Sequence, residues 1–364
     1  MPQKRIVMKD VAREAGVHQT TVSLALRDHP SLPQETRKRI KKLAIEMGYR
    51  PDPALTALNN YRERVKSAPT SHSIGLIINL ASEAHLKESH VHEQLIRHSR
   101  ERAKELGYNL DIFWYGRDYH RSKGLDNVLK TRAIPGLILS AFSYINTDIQ
   151  LDWDAYSTVK INLLPVGLEV DAILSNQLFA VRLAMRKLRE RGIKRIGLAI
   201  AEHDEIHTRN LFTGGFYIGQ RTYHATERIP PLVFKPKPMP LLSEQVKDYC
   251  IEHKLDALMS NWNILDICAW QATEALGRDC RFVTLDLNDS SRPYGGVNQN
   301  HDQVARTAVD QVVGKINTFQ KGTSDSHNMT LVDPSWEELK PWIFNQSPEI
   351  KRQVFVPSKE LLVS

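Results

Sequence analysis

The chain of 364 residues is several times longer than one minimal folded core requires, so we expect two or three domains. Its composition, 41% hydrophobic and 25% charged, is typical of a globular protein and excludes a disordered or collagen-like chain. No apolar run approaches the ~18 residues of a membrane span, and the first residues lack the apolar stretch of a secretory signal. The three cysteines form no CxxC pair, so we expect a reduced, cytoplasmic location.

The excess of positive charge is confined to one end of the chain. Residues 1–66 contain 14 Lys and Arg against 7 Asp and Glu, whereas the other 298 residues contain 35 of each sign. A basic module attached to a neutral body indicates that a polyanion is bound at that end. Basic tails that only increase solubility also carry excess positive charge. Sequence motifs are therefore needed to distinguish a polyanion-binding module from such a tail.

The first 50 residues predict three short helices. Each helix has an apolar face, and these faces comprise Val11, Ala12 and Ala15, then Val22, Leu24, Ala25 and Leu26, then Ile40, Leu43, Ala44 and Met47. Gly16 and Gly48 end the first and third helices, and Ser31 with Gln34 has the spacing of a capping box at the start of the third. A helix, a short turn with glycine and a second helix form the helix-turn-helix pattern.

A short helix and a polar linker follow. Asp52 is a good N-cap and Pro53 suits the first helical position, which predicts about two helical turns. Because a helix of this length is not stable alone in water, it must gain its stability from a partner.

From Ile74 onward, predicted strands and helices alternate. The strands are Ile74–Asn79, Asn109–Tyr115, Gly136–Leu139, Thr158–Asn162, Arg195–Ile200, Ala257–Ser260 and Arg281–Leu285, with helices at Glu93–Leu106, Leu178–Arg191, Leu242–His253 and Leu265–Leu276. This order predicts doubly wound parallel sheets with helices on both faces. Ligand sites in such sheets lie beyond the carboxyl ends of the strands.

Residues 9–23, KDVAREAGVHQTTVS, resemble the DNA-binding segment of the lactose-repressor (LacI) family. The resemblance continues through Thr36, Arg37 and residues 48–51, and in the body through residues 189–197 and the strand ends 258–261 and 283–286. It implies an N-terminal all-α helix-turn-helix head and an α/β body like a periplasmic binding protein, made of two doubly wound parallel-sheet subdomains.

The domain boundaries expected from this resemblance are as follows. Residues 1–50 form the head, residues 51–72 the hinge helix and linker, residues 73–345 the body, and residues 346–364 a C-terminal tail. Within the body, residues 73–168 with 296–326 form one subdomain, and residues 169–295 with 327–345 form the other.

The resemblance also implies which head residues contact DNA. The second helix enters the major groove, where Gln19 and Thr20 read bases: Gln pairs with adenine, and Thr contacts a thymine methyl group. Thr21, Ser23 and Ser31 match phosphate-binding positions, and Arg27 lies on the same side. The alternative is that this surface is only a solvated helix face.

Several residues depart from the family pattern or belong to the hinge. His18 replaces the usual Ser, which removes the preferred cap of the recognition helix, and Val7 replaces a common Thr cap. Leu24 replaces a frequent Arg, so one guanine contact is expected to be absent. Leu58 matches the minor-groove wedge of the hinge helix, with Leu55 one turn earlier; alternatively, both leucines pack two hinge helices together.

The resemblance places effector-binding residues at strand ends of the body. Arg209 matches an arginine that binds effector hydroxyls or carboxylates, and Asp286 an acidic residue that accepts hydroxyl hydrogens. Asn261 matches a polar partner, and Trp262 replaces the family's Asp, where it stacks on a ring or fills the pocket. Ordinary surface pairing is the alternative for Arg209 and Asp286.

No motif predicts catalysis, a cofactor or a metal. His203 and His207 lie in HDEIH, not HExxH, and we interpret them as part of a histidine-rich segment, like His90 and His92. The resulting prediction is a homodimeric DNA-binding regulator, a repressor of a near-palindromic operator, modulated by a sugar-like effector. The first alternative is a ligand-binding sensor or generic DNA-binding protein without a specific operator. The second alternative is an enzyme of sugar metabolism.

Overall fold

The structure is a computed structural model that describes residues 6–26, 31–49, 72–80, 86, 90–119, 122–142, 149–163, 167–235, 237–288, 295–323 and 326–338. The chain divides into two compact units, a head within residues 1–70 and a body within residues 71–364. The predicted hinge helix and the C-terminal tail lie outside the described residues.

The head contains the three predicted helices, α1 (Met8–Ala15), α2 (Gln19–Leu26) and α3 (Gln34–Glu46). Their apolar faces share one small core around the fully buried Val11, Val22 and Ile40. The predicted cap of α3 is wrong. The N-cap is Pro33, without a capping side chain, so Ser31 lies too early to form a capping box with Gln34.

Strands and helices alternate along the body. The strands are β1 (Ser73–Asn79), β2 (Asn109–Trp114), β3 (Gly136–Phe142), β4 (Ser157–Ile161), β5 (Ala172–Ser175), β6 (Ile196–Ala201), β7 (Leu232–Phe234), β8 (Ala257–Ser260), β9 (Arg281–Thr284), β10 (Gly296–Asn298), β11 (Met329–Val332) and β12 (Ser335–Glu337). The helices are α4 (His90–Glu105), α5 (Ser122–Thr131), α6 (Gln177–Glu190), α7 (Glu202–His207), α8 (Leu211–Gly219), α9 (Met239–Glu252), α10 (Asp266–Leu276) and α11 (His301–Thr318).

Sheet 1 has the order β11-β5-β4-β3-β1-β2, and all of its pairs are parallel. Successive side chains of β1 point to opposite faces, as the pleat requires. Leu76 and Ile78 pack in the layer formed with α4 and α11, whereas Ile77 packs in the layer formed with α5.

Sheet 2 has the order β12-β10-β9-β8-β6-β7, and only its β10–β12 pair is antiparallel. Leu198 of β6 packs in the layer formed with α6 and α8, whereas Ala199 packs in the layer formed with α9 and α10. Both sheets are therefore doubly wound, as the sequence predicts.

The chain crosses between the sheets three times. It leaves sheet 1 after β5, returns through α11 after β10, and leaves again between β11 and β12. Each crossing lies a few residues beyond the corresponding expected subdomain boundary, because the short strands β5, β10 and β11 were not predicted and each continues the preceding subdomain. Among the described helices, none is long and apolar enough to cross a membrane.

Candidate functional site

The recognition helix α2 is anchored to the head by its apolar side. Val22 and Ala25 are fully buried against α1 and α3. Gly16, with φ 67°, ends α1 in the left-handed conformation, so that the chain turns directly into α2. Arg39 of α3 donates to the Ala15 carbonyl at 3.4 Å, which adds a polar contact between α3 and the end of α1.

The opposite side of α2 presents polar side chains. Gln19 and Thr20 are exposed at its first turn, and Thr21, Ser23 and Leu24 are half-buried beside them. Ser31, in the following turn, is also exposed. Exposed hydrogen-bonding groups at the start of a recognition helix have the chemistry needed to reach base edges. Arg27, Leu55 and Leu58 lie outside the described residues and stay predictions.

The expected loss of the cap at His18 is wrong. The Thr20 backbone N–H donates to His18 Nδ1 at 3.3 Å, and Thr20 Oγ1 lies 2.9 Å from the same nitrogen. The imidazole thus supplies the acceptor that a Ser hydroxyl provides at an N-cap. At α1, the Val7 N–H donates to Asp10 Oδ2 at 3.1 Å, so half of a capping box remains although Val7 has no capping side chain.

In the body, polar side chains gather beyond the carboxyl ends of β6 and β8. Asp204 Oδ2 accepts hydrogen bonds from Asn261 Nδ2 at 2.8 Å and from Trp262 Nε1 at 3.0 Å. The Trp262 ring makes an edge contact with Phe234, with ring centroids 5.3 Å apart. The structure therefore brings the predicted Asn261 and Trp262 together, on a carboxylate that the sequence did not single out.

Asp286 lies beyond the neighbouring strand β9 and is buried. His301 Nε2 lies 2.9 Å from Asp286 Oδ1, and His90 Nε2 lies 3.5 Å from Oδ2. Asn263 Nδ2 donates to the Asp286 carbonyl at 3.0 Å, and Thr284 Oγ1 accepts from the Asp286 N–H at 3.0 Å. These contacts join the end of β9 to the start of α11 and to α4, which belongs to the layer of sheet 1.

The electrostatics of this cluster keep Asp286 ionised. Burial alone would raise the pKa of Asp286, but His301 and His90 outweigh it and hold that pKa well below its ordinary value. The pKa of His92 is lowered to about 4, mainly by burial and further by His301 and His90. A buried carboxylate among imidazoles is suited to accept hydroxyl hydrogens or to bind a cation.

Arg209 is placed differently from the other predicted effector residues. It is exposed and has a φ of 52° in the turn between α7 and α8. Burial of Lys160 on β4 is the main cause of the lowered pKa of Lys160, and the positive charge of Arg209 also lowers that pKa. Among the described residues, no hydrogen bond or ion pair joins Arg209 to Asn261, Trp262 or Asp286, so its role as an effector ligand stays a prediction.

Comparison with known proteins decides the identity of the head. Residues 7–52 match the model of the bacterial regulatory proteins of the lacI family. The head is therefore a DNA-binding domain of the lacI family. The chain is a transcriptional regulator with a DNA-binding helix-turn-helix.

The relatives of this LacI-family regulator are distant. The transcriptional repressor PurR of Haemophilus influenzae is 23% identical over 209 residues, which cover 57% of this chain and 58% of PurR. The transcriptional regulator TreR of Salmonella typhimurium is 23% identical over 336 residues, which cover 86% of this chain and 95% of TreR. The match thus spans less than two thirds of PurR but nearly all of TreR.

Solved structures share the fold of this LacI-family regulator. The complex of the regulator CelR with cellobiose superposes with a TM-score of 0.54 at 16% identity, covering 92% of this chain and 99% of CelR. The Lac repressor dimer bound to operator and the anti-inducer ONPF gives 0.52 at 17% identity, covering 93% and 99%.

Sequence reasoning missed Asp204 and His301 and set His90 aside. His301 is the first residue of α11, where nothing in the local pattern distinguishes it from an ordinary surface histidine. Its proximity to Asp286 arises because the chain passes through β10 and crosses to sheet 1 at that point. The predicted strand ends were the one available signal, since they mark where such side chains converge.

Proposed function

We propose that this LacI-family regulator is a sequence-specific repressor that binds a near-palindromic operator as a homodimer and responds to a small sugar-like effector. The observation that carries the DNA-binding part is the geometry of α2. Its apolar side is fixed by Val22 and Ala25, while Gln19 and Thr20 project from its first turn. A helix held in this way, with exposed polar side chains at its start, can distinguish base pairs in the major groove.

The homodimer and the palindrome follow from one another. One head covers only a half-site, so a two-fold symmetric dimer requires two half-sites related by the same symmetry. The Lac repressor, which has the same fold, was solved as a dimer on its operator, and this supports the same assembly here. Leu55 and Leu58 of the hinge segment then contact the minor groove at the operator centre.

The effector site is proposed at the carboxyl ends of β6, β8 and β9. Asn261, Trp262 and Asp286 lie there, with Asp204 as a further polar group. An aromatic ring with neighbouring carboxylates and amides is suited to a sugar, and cellobiose is the ligand in the CelR complex. Coupling between effector and operator must be reciprocal, so operator DNA changes effector affinity by the same factor.

Selection of bound duplexes from a random pool tests this function. The full chain should enrich one near-palindromic sequence, and a sugar that acts as effector should change the yield of that sequence. Gln19→Ala should alter the selected motif, whereas Gln34→Ala, at the start of α3, should leave it unchanged. Recovery of unrelated sequences under all conditions would favour the generic DNA-binding or sensor alternative.

A further inference from the structure

Three side chains from separate elements converge between the two sheets of the body. His90 lies at the start of the described part of α4, Asp286 follows β9, and His301 begins α11. One ligand atom of each lies within 4.8 Å of the other two. Over the part of the chain that the structure describes, this is the only group of three or more His, Cys, Asp or Glu with that proximity.

The distances within this group fit a single metal ion. Around a tetrahedral ion with bonds of ~2.0–2.1 Å, neighbouring ligand atoms are about 3.3 Å apart. The two nitrogen–oxygen pairs here measure 2.9 Å, from His301 Nε2 to Asp286 Oδ1, and 3.5 Å, from His90 Nε2 to Asp286 Oδ2, so the two imidazoles meet opposite oxygens of one carboxylate. One ligand atom of each residue already lies within 4.8 Å of the other two, so adjustment of the three side chains would place one atom of each around a single ion.

The donor set selects the class of metal. Two imidazole nitrogens and one carboxylate oxygen suit zinc and its divalent transition-metal neighbours, whereas Ca²⁺ and Mg²⁺ prefer oxygen alone. No thiol belongs to the group, because Cys250, Cys268 and Cys280 are buried in the layer of α9 and α10. Three protein ligands leave a fourth position for water or a ligand oxygen.

The surrounding hydrogen bonds hold the central ligand in place. Thr284 and Asn263 fix the backbone of Asp286, and the buried Gln299 donates to the preceding Leu285 carbonyl at 2.8 Å. The His90 and His301 rings meet edge to face, with centroids 6.1 Å apart. These contacts fix the backbone from which the Asp286 carboxylate projects toward the two rings.

We propose that His90, Asp286 and His301 bind one divalent transition-metal ion of the zinc class, which links the two sheets of the body. Because His90 belongs to the sheet 1 layer and Asp286 to sheet 2, the bound ion restrains the two halves in one relative position. Binding requires neither DNA nor a sugar, so this proposal stands or fails independently of the repressor function.

A titration of the untagged, full-length chain with Co²⁺, after treatment with a chelator, tests the site directly. The visible absorption of bound Co²⁺ reports nitrogen and oxygen ligation, and competition against a chromophoric chelator gives the Zn²⁺ affinity. We expect one ion per chain. Asp286→Asn and His301→Asn should each weaken metal binding by more than ~10-fold. Loss of a residue that only orients a metal ligand already costs that much, and these two residues are ligands themselves.

His98→Asn is the matched control, because His98 lies on the same helix and its ring contacts the exposed Arg97 and Glu101. It should bind Co²⁺ and Zn²⁺ like the unaltered chain. Asp286→Asn is nearly isosteric, and circular dichroism without metal verifies that each variant is folded. In addition, Zn²⁺ should raise the Tm of the unaltered chain and of His98→Asn but not of His301→Asn.

Two results would overturn the proposal. The first is the absence of stoichiometric Co²⁺ and Zn²⁺ binding, which would leave the three side chains as a hydrogen-bonded triad. The second is binding that persists in both Asp286→Asn and His301→Asn and disappears when the three cysteines are replaced by alanine, since thiols would then hold the ion.

Discussion

The candidate site in the head and the one at the strand ends of the body differ in how far apart in sequence their residues lie. In the head, Gln19 and Thr20 lie within one turn or two of Val22 and Ala25, which hold the helix, so one stretch of sequence contains both the site and its support. At the strand ends of the body, the contacting residues are far apart in sequence: Asn261 contacts Asp204 from 57 positions away, and Asp286 contacts His301 from 15 positions away. Local spacing therefore predicts the first site, and only the folded sheets reveal the second.

The largest expected effect is unfolding of the head while the body stays folded. Ile40→Ala removes a fully buried side chain from the small core of the head, at a cost of about 2–5 kcal/mol. A core of this size supplies only ~3–5 kcal/mol in total, so the head should unfold and operator binding should be lost. Limited proteolysis should cleave the head while the body resists.

Ile45→Ala on the same helix is the control, because Ile45 is 78% exposed. It should retain operator binding and proteolytic resistance. Equal sensitivity of the two variants would show that the apolar face of α3 has been assigned incorrectly.

The second largest expected effect is on base recognition by Gln19 of the head. Gln19→Ala should cost about 1–3 kcal/mol on the specific site and relax the preference at one base pair of each half-site. Binding to a panel of duplexes that vary one position at a time measures this. A uniform loss on specific and random DNA would instead assign Gln19 to non-specific contacts.

The cap of α2 is expected to contribute less. His18→Ala removes the acceptor for the Thr20 N–H and should destabilise the head by about 1 kcal/mol, whereas His18→Ser should keep the cap. Amide hydrogen exchange at the start of α2 would show the difference. Equal exchange in the two variants would mean that the imidazole is not the cap.

The smallest effect is confined to the body. Glu105 accepts from Arg306 and Arg102, which together lower the pKa of Glu105 to about 2. Since the folded pKa is depressed, the stabilisation is present above its ordinary value of 4.5 and disappears as the pH falls toward 2. Glu105→Gln should lower the Tm slightly at neutral pH, and high salt should reduce the difference because Glu105 is exposed.

Thermal unfolding of both proteins between pH 7 and pH 2 checks this prediction. The two curves should converge in acid, and operator affinity at neutral pH should be unchanged. A difference that grows on acidification would contradict the sign of the pKa shift.

The alternation of strands and helices was predictable because long apolar runs such as β1 and β6 are buried on both faces. The short strands were not. β12 has three residues with a single large apolar side chain, Trp336, and β5 has only four residues before the N-cap of the next helix, Asn176. Such segments become strands because a neighbouring strand offers free backbone groups, and that is a property of the assembled sheet.

The candidate sites show the same limit. The exposed positions of α2 follow from helical periodicity, whereas the cap at His18 depends on the orientation of one ring. Asp286 was predicted as a strand-end residue, but its partners His90 and His301 come from helices that approach only when the chain crosses between sheets. Sequence spacing contains no information on that approach.

The affinity of the full-length chain for its selected duplex and for a scrambled duplex, measured across a salt series, tests the central claim most directly. We predict a preference of ~10³-fold or more for the selected sequence near physiological salt, because base contacts add to the phosphate contacts that both duplexes share. Equal affinity for the two duplexes at every salt concentration, with and without candidate sugars, would contradict the account.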